Sequence, residues 1–156
     1  MAEHVSSEQV DAWLDEKVVQ DAERVSESDT AYNIQLRLSR IPLHVIKEET
    51  WGPLRLVGKS AFDTDRTAAL LEDDEKRGEL LARIGPVLAA TPGFYTFLDS
   101  EGTVCEFADV HAIQLEHRLY PDGASQQSLM DGLMGLATAI RYIQNAVAET
   151  RRQYED

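Results

Sequence analysis

Beyond the turn Pro121-Asp122-Gly123, the residues Leu129, Leu133, Leu136, Ile140, Ile143 and Val147 follow one another at steps of four, three, four, three and four. Only a helix brings such positions onto one line, so the spacing predicts a C-terminal helix of about 25 residues, capped by Ser125 and apolar along its whole length. Met130, Met134 and Ala137 widen the stripe, and Gly132, Gly135 and Ala139 permit close approach. A helix of this kind must lie along something. Two readings follow: the stripe packs within its own chain, or the six seam residues hold a second subunit or a partner as well.

The preceding segments supply a surface for it to cover. In AYNIQLRLS, Tyr32, Ile34, Leu36 and Leu38 alternate with Asn33, Gln35 and Arg37, the period of a half-buried strand. IPLHVIKEE and LRLVGKSAF repeat the signal, with Pro42 placing the former at a sheet edge or at a strand start. Short connections make this meander antiparallel. Before it, Val10, Trp13, Leu14, Ala22 and Val25 predict one helix over residues 7–26, capped by Ser6 or Ser7 and followed by the polar loop SESDT. After it, a second helix is expected from the caps Asp63 and Thr64 to Thr91-Pro92-Gly93, bent near Gly85-Pro86. Phe94 to Leu98 then reads as a strand, DSEG as a hairpin turn, Thr103 to Phe107 as the return strand, and His111 to Leu119 as another strand, joined to the return through a bulge at Ala108-Asp109. The expected class is α+β, in the order α-β-β-β-α-β-β(β)-α, with helices on one face of an antiparallel sheet and a long C-terminal helix.

Length and charge restrict the partners. At 156 residues the chain is expected to form a single domain over 1–156, since domains commonly run to ~100–150 residues. Its net charge is −13. Residues 1–30 hold nine acids against Lys17 and Arg24, whereas 31–62 hold five bases against Glu48 and Glu49. Such a field repels nucleic acid and anionic lipid, so neither is an expected partner. The acidic N-terminus is unlike a signal peptide, no apolar run reaches the ~20 residues of a membrane span, and a lone Cys105 fits a reducing compartment. A cytoplasmic location is therefore expected.

Constellations for chemistry are sparse. Cys105, His111 and His117 come nearest to a metal set, yet two histidines six apart on a strand stand roughly 20 Å apart, against the ~2.0–2.3 Å that a zinc ligand needs. Neither a nucleophile elbow nor a phosphate-binding glycine loop occurs. The acidic run EDDE at 72–75 lacks the alternation of a calcium loop and reads as a solvated helix face. No catalytic residue, metal ligand or cofactor is predicted. Cys105 and His111 remain the candidates should a pocket between sheet and helices serve a small ligand or an enzyme reaction. Arg37, Arg55 and Lys59 fall opposite the apolar positions of their strands, where they form either an ordinary solvated face or a docking face for an acidic segment.

In element order this chain resembles the type III secretion chaperone-like fold, a group of class I secretion chaperones and several bacterial and archaeal families of unknown function. The turn Tyr120-Pro121-Asp122-Gly123 leading into the helix of Leu129 and Met130 is similar to the last strand-to-helix junction of some of those families. The resemblance implies a homodimer that binds polypeptide, without cofactor or catalytic residues. A non-enzymatic, homodimeric, chaperone-like module that holds a protein client is thus the functional expectation, with the small-ligand enzyme and the acidic-segment adaptor as its rivals.

Overall fold

The computed structural model describes residues 4–26 and 29–155. The chain is α+β. Its elements are α1 (Ser7–Trp13), β1 (Val19–Arg24), β2 (Tyr32–Leu38), β3 (Ile41–Lys47), β4 (Leu54–Ala61), α2 (Thr64–Glu72), α3 (Asp74–Ala90), β5 (Phe94–Leu98), a 3-10 turn (Phe107–Asp109), β6 (Ala112–Leu119) and α4 (Gln126–Tyr154). The described strands form one antiparallel sheet of six, ordered β1-β2-β3-β4-β6-β5. No helix among the described residues is long and apolar enough to cross a membrane.

Several elements depart from expectation for local reasons. The helix expected over 7–26 is only α1. Ser6 caps it, its hydroxyl accepting the Gln9 N–H at 3.1 Å, but Leu14 is already extended. Asp15 then turns its carboxylate back onto the Lys17 N–H at 3.0 Å, a side-chain bond that competes with helix propagation. The β-branched pair Val18-Val19 follows, and the chain pairs with β2 as a fourth meander strand. Part of the polar loop after it, residues 27 and 28, lies outside the described residues. Pro42 stands near the start of β3, which is flanked by β2 and β4, so the edge alternative is corrected. The single helix expected after Asp63 is two. Asp73 breaks it and caps α3 by accepting the N–H groups of Glu75 and Lys76, whereas α3 runs unbroken through Pro86. The return strand over Thr103 to Phe107 shrinks to one isolated bridge, Leu98 with Val104, before the 3-10 turn that occupies the expected bulge.

The chain divides into two compact units, Met1–Gly58 with Glu116–Ala137, and Lys59–Leu115 with Thr138–Asp156. In the first unit Ile34, Leu36, Leu43, Val45, Leu54 and Leu56 are buried on one side of the meander, together with Leu129, Leu133 and Leu136 of α4. Here Gly132 is needed for close approach. A Cβ at this position would lie 2.5 Å from Leu56 Cδ1 and 3.0 Å from His117 Cδ2. In the second unit Leu80, Ile84 and Leu88 of α3, Ile113 and Leu115 of β6, and Ile140, Ile143 and Val147 of α4 are buried. At about 1.5–3 kcal/mol for each fully buried large apolar side chain, these rows account for the register of the strands and the length of α4.

Candidate functional site

The six seam residues of α4 belong to the core. Leu129, Leu133, Ile140 and Ile143 have no exposed surface, Leu136 keeps 1 % and Val147 7 %. They are satisfied within one chain, so their reading as a subunit or partner interface is corrected. The surplus apolar width seen in the sequence is taken up by buried Met130, Ala137, Ala139 and Ala146, leaving Met134 and Tyr142 as the exposed apolar side chains of this helix.

The three bases proposed as a docking face have separate fates. Arg37 and Lys59 are exposed. Arg55 is occupied: its Nε and Nη2 donate to Glu116 Oε1 at 3.0 and 2.6 Å, and its Nη1 donates to Glu48. Arg118 Nε donates to the second Glu116 oxygen at 2.7 Å. Glu116 keeps only 2 % of its side-chain exposure. Burial alone would raise its pKa, but the guanidinium groups of Arg55 and Arg118 outweigh that and hold the carboxyl below its ordinary value. Arg55 and Arg118 border a cavity of about 160 Å³ with Glu48, Glu49, Gly52 and Pro53, and the charge of Arg55 is already matched by Glu116 and Glu48.

Cys105 and His111 both lie in the second unit. His111 lines a cavity there and Cys105 does not. Partial burial, then the carboxylates of Asp99, Asp109 and Glu106, push the Cys105 thiol up, the direction that keeps it protonated and weakly nucleophilic. His117 sits against Gly132 under α4, and no group of three His, Cys, Asp and Glu side chains among the described residues has metal-holding geometry.

The two ends of the sheet differ in a way that sequence periodicity did not reveal. β1, VQDAER, exposes Gln20, Asp21, Glu23 and Arg24 beside Ala22, and it carries a bulge between Gln20 and Glu23 with Asp21 at φ 57°. Charge and a bulge are the usual protections of a free strand edge. β5, FYTFL, has no charged residue and no buried one, with Phe94 48 % and Tyr95 44 % exposed. Tyr95 and Phe97 stack at 5.5 Å between ring centroids, and Phe97 continues onto Phe107 at 5.2 Å.

The backbone of β5 alternates between two directions. Leu98 accepts the His111 N–H at 2.7 Å, whereas Phe97 accepts the Cys105 N–H at 3.0 Å and Asp99 donates to Thr103 O at 2.9 Å on the opposite side. Period two places the N–H and C=O of Tyr95 on that outer side. The hairpin covers the edge only as far as Cys105. Its turn is fixed by Asp99, whose carboxylate accepts the N–H groups of Glu101 and Thr103, and by Gly102 at φ 80°. The chain then leaves the edge through the 3-10 turn. Among the described residues, what remains open is a short aromatic strand edge, with Asp99, Glu101, the exposed Val104, Glu106 and Asp109 in the hairpin and turn that follow it. The signal available in the sequence was the uncharged aromatic run GFYTFL, followed by the acidic DSEGTVCEFAD.

No protein-family model matches the chain, and no curated protein matches it in sequence. A solved structure, that of an uncharacterized protein from Methanothermobacter thermautotrophicus, superposes with a TM-score of 0.74 over 91 % of this chain and 96 % of that one, at 13 % sequence identity. The likeness establishes a shared fold.

Proposed function

We propose that this protein is a non-enzymatic, chaperone-like polypeptide-binding module that accepts an extended segment of another protein along the outer edge of β5. The observation that carries this reading is the contrast between a charged, bulged β1 and an uncharged, aromatic β5 in one sheet. An added strand would gain main-chain hydrogen bonds from the outward N–H and C=O of Tyr95, with alternate side chains resting on exposed aromatic rings. The acidic border favours a segment with basic flanks. A second copy of the chain is the poorer occupant, because it brings the same acidic border and a further net charge of −13. The resemblance in element order to secretion chaperones supports the polypeptide reading. It lends none to a dimer through α4, whose seam is consumed internally.

The substitution Tyr95→Pro tests this. It removes one outward N–H and leaves the inward bonds of β5 in place, at a strand edge where proline is tolerated. Peptides selected from a displayed library of short, extended, basic-flanked segments should bind the natural chain and lose affinity by about tenfold or more for the Tyr95→Pro variant, with an unchanged melting temperature. Equal affinity for the two proteins, or no peptide enriched over composition-matched scrambles, would overturn the reading.

A further inference from the structure

We propose that Val104 and Cys105 form a displaceable self-strand, which occupies the β5 edge at Phe97 until an extended client takes its place. The inference rests on the edge reading above and adds the means by which that edge is regulated.

The segment lies between two anchors. On one side Asp99 fixes the turn: its carboxylate accepts the N–H groups of Glu101 and Thr103, both at 2.9 Å, and its own N–H donates to Thr103 O at 2.9 Å. On the other side the Glu106 carbonyl accepts the Asp109 N–H at 3.0 Å, and Phe107, itself buried, sets its ring 5.2 Å from that of Phe97. Val104 and Cys105 span the gap, and little holds them. They meet β5 through the isolated bridge of Leu98 with Val104. Val104 is 72 % exposed, so its side chain removes little apolar surface from water. In such a bridge the N–H and C=O of Val104 point away from β5. The segment's main-chain bond to the strand is therefore the Cys105 N–H, donated to Phe97 O at 3.0 Å.

That pair is half made. Residues opposed in this register exchange bonds in both directions, yet among the described residues the Phe97 N–H makes no return bond to the Cys105 carbonyl. A client strand that displaces Cys105 gains the N–H and C=O of Phe97 as well as those of Tyr95, and it lies along the stacked rings of both residues. A client confined to Tyr95 has few bonds to set against the ordering of its own backbone. The self-strand thus shields the edge from weak or accidental pairing. A segment with little buried surface and a hydrogen bond at an exposed edge opens locally without unfolding the rest.

Hydrogen exchange, read amide by amide on the natural chain, tests this. Without client, the Cys105 amide should exchange about tenfold or more faster than the His111 amide, which donates to Leu98 O at 2.7 Å on the inner side of β5. With a saturating basic-flanked peptide, the Tyr95 and Phe97 amides should gain protection while the Cys105 amide loses it. Cys105→Pro removes the occupying N–H and keeps the Asp99 turn, so it should raise peptide affinity by about tenfold. Cys105→Ser keeps the N–H, removes only the thiol and should bind as the natural chain does. Melting temperatures report whether each variant is folded, and the exchange pattern of the natural chain decides the matter should Cys105→Pro fail to fold. A Cys105 amide as protected as that of His111 overturns the proposal, as does unchanged or weaker binding by folded Cys105→Pro, or an equal gain in Cys105→Ser. Protection of Tyr95 without loss at Cys105 overturns it while leaving the β5 edge reading in place. Peptides that bind neither the natural chain nor Cys105→Pro overturn both.

Discussion

At Glu116 a carboxylate survives burial because two guanidinium groups surround it. Its pKa is depressed in the folded chain, so the associated stability is fully present above the ordinary carboxylate value of 4.5 and is lost as the pH falls through the lower folded-state value. Glu116→Gln should cost about 1–3 kcal/mol at neutral pH, mostly through Arg55, because the more exposed Arg118 is screened by water. It should also flatten the acid limb of a stability–pH curve measured by urea unfolding; an acid limb as steep as in the natural chain would show that the cluster contributes nothing. Two glycines of α4 give a matched pair. Gly132→Ala drives a methyl group into Leu56 and His117 and should destabilise by about 1–3 kcal/mol. Gly135→Ala meets nothing within 4 Å and should stabilise by about 0.5–1 kcal/mol through helix propensity. Alternation in the sequence showed Arg55 and Glu116 on polar positions, but period two assigns a face and not a partner. The pairing of β4 beside β6 decides that one carboxylate sits between two bases.

Among the elements, the strands β2 to β6 and the long helix α4 were legible, and the breaks inside the first two helical patterns were not. β2, β3, β4, β5, β6 and α4 lie where the sequence pattern puts them, and Ser125 caps α4 as expected, its hydroxyl accepting the Ser128 N–H at 3.0 Å. The helix assigned to residues 7–26 failed because its apolar spacing was interrupted between Leu14 and Ala22, where an Asp15 turn and a β-branched pair prevail over helix propensity. The β2–β3 hairpin holds a further unread detail. Ser39 and Arg40 both have positive φ, 52° and 70°, the conformation of a type I′ turn that favours asparagine and glycine. Arg40→Gly should therefore raise stability by about 0.5–1 kcal/mol, measured as a shift of the denaturant midpoint at constant slope. The α4 seam is apolar as expected, and its burial favours packing within its own chain over the interface reading, a choice the sequence leaves open because one sequence cannot say how much surface its own sheet presents. Leu133→Ala should cost about 2–5 kcal/mol, and the melting temperatures of the natural chain and the variant should not depend on protein concentration. A concentration-dependent melting temperature would return the seam to an intersubunit role.

For the whole molecule, a net charge of −13 and an aromatic strand edge set the terms of recognition. The charge speeds encounter with basic segments and weakens as salt rises, while the β5 edge supplies main-chain pairing that salt does not screen. Binding of a basic-flanked peptide should therefore slow in association as ionic strength increases, with a smaller change in dissociation rate. Hydrogen exchange measured amide by amide on the natural chain, with and without a selected peptide, tests the β5 edge most directly. The prediction is new protection of the Tyr95 amide with no comparable change in β1; protection absent from Tyr95, or gained only along β1 or α4, would contradict it.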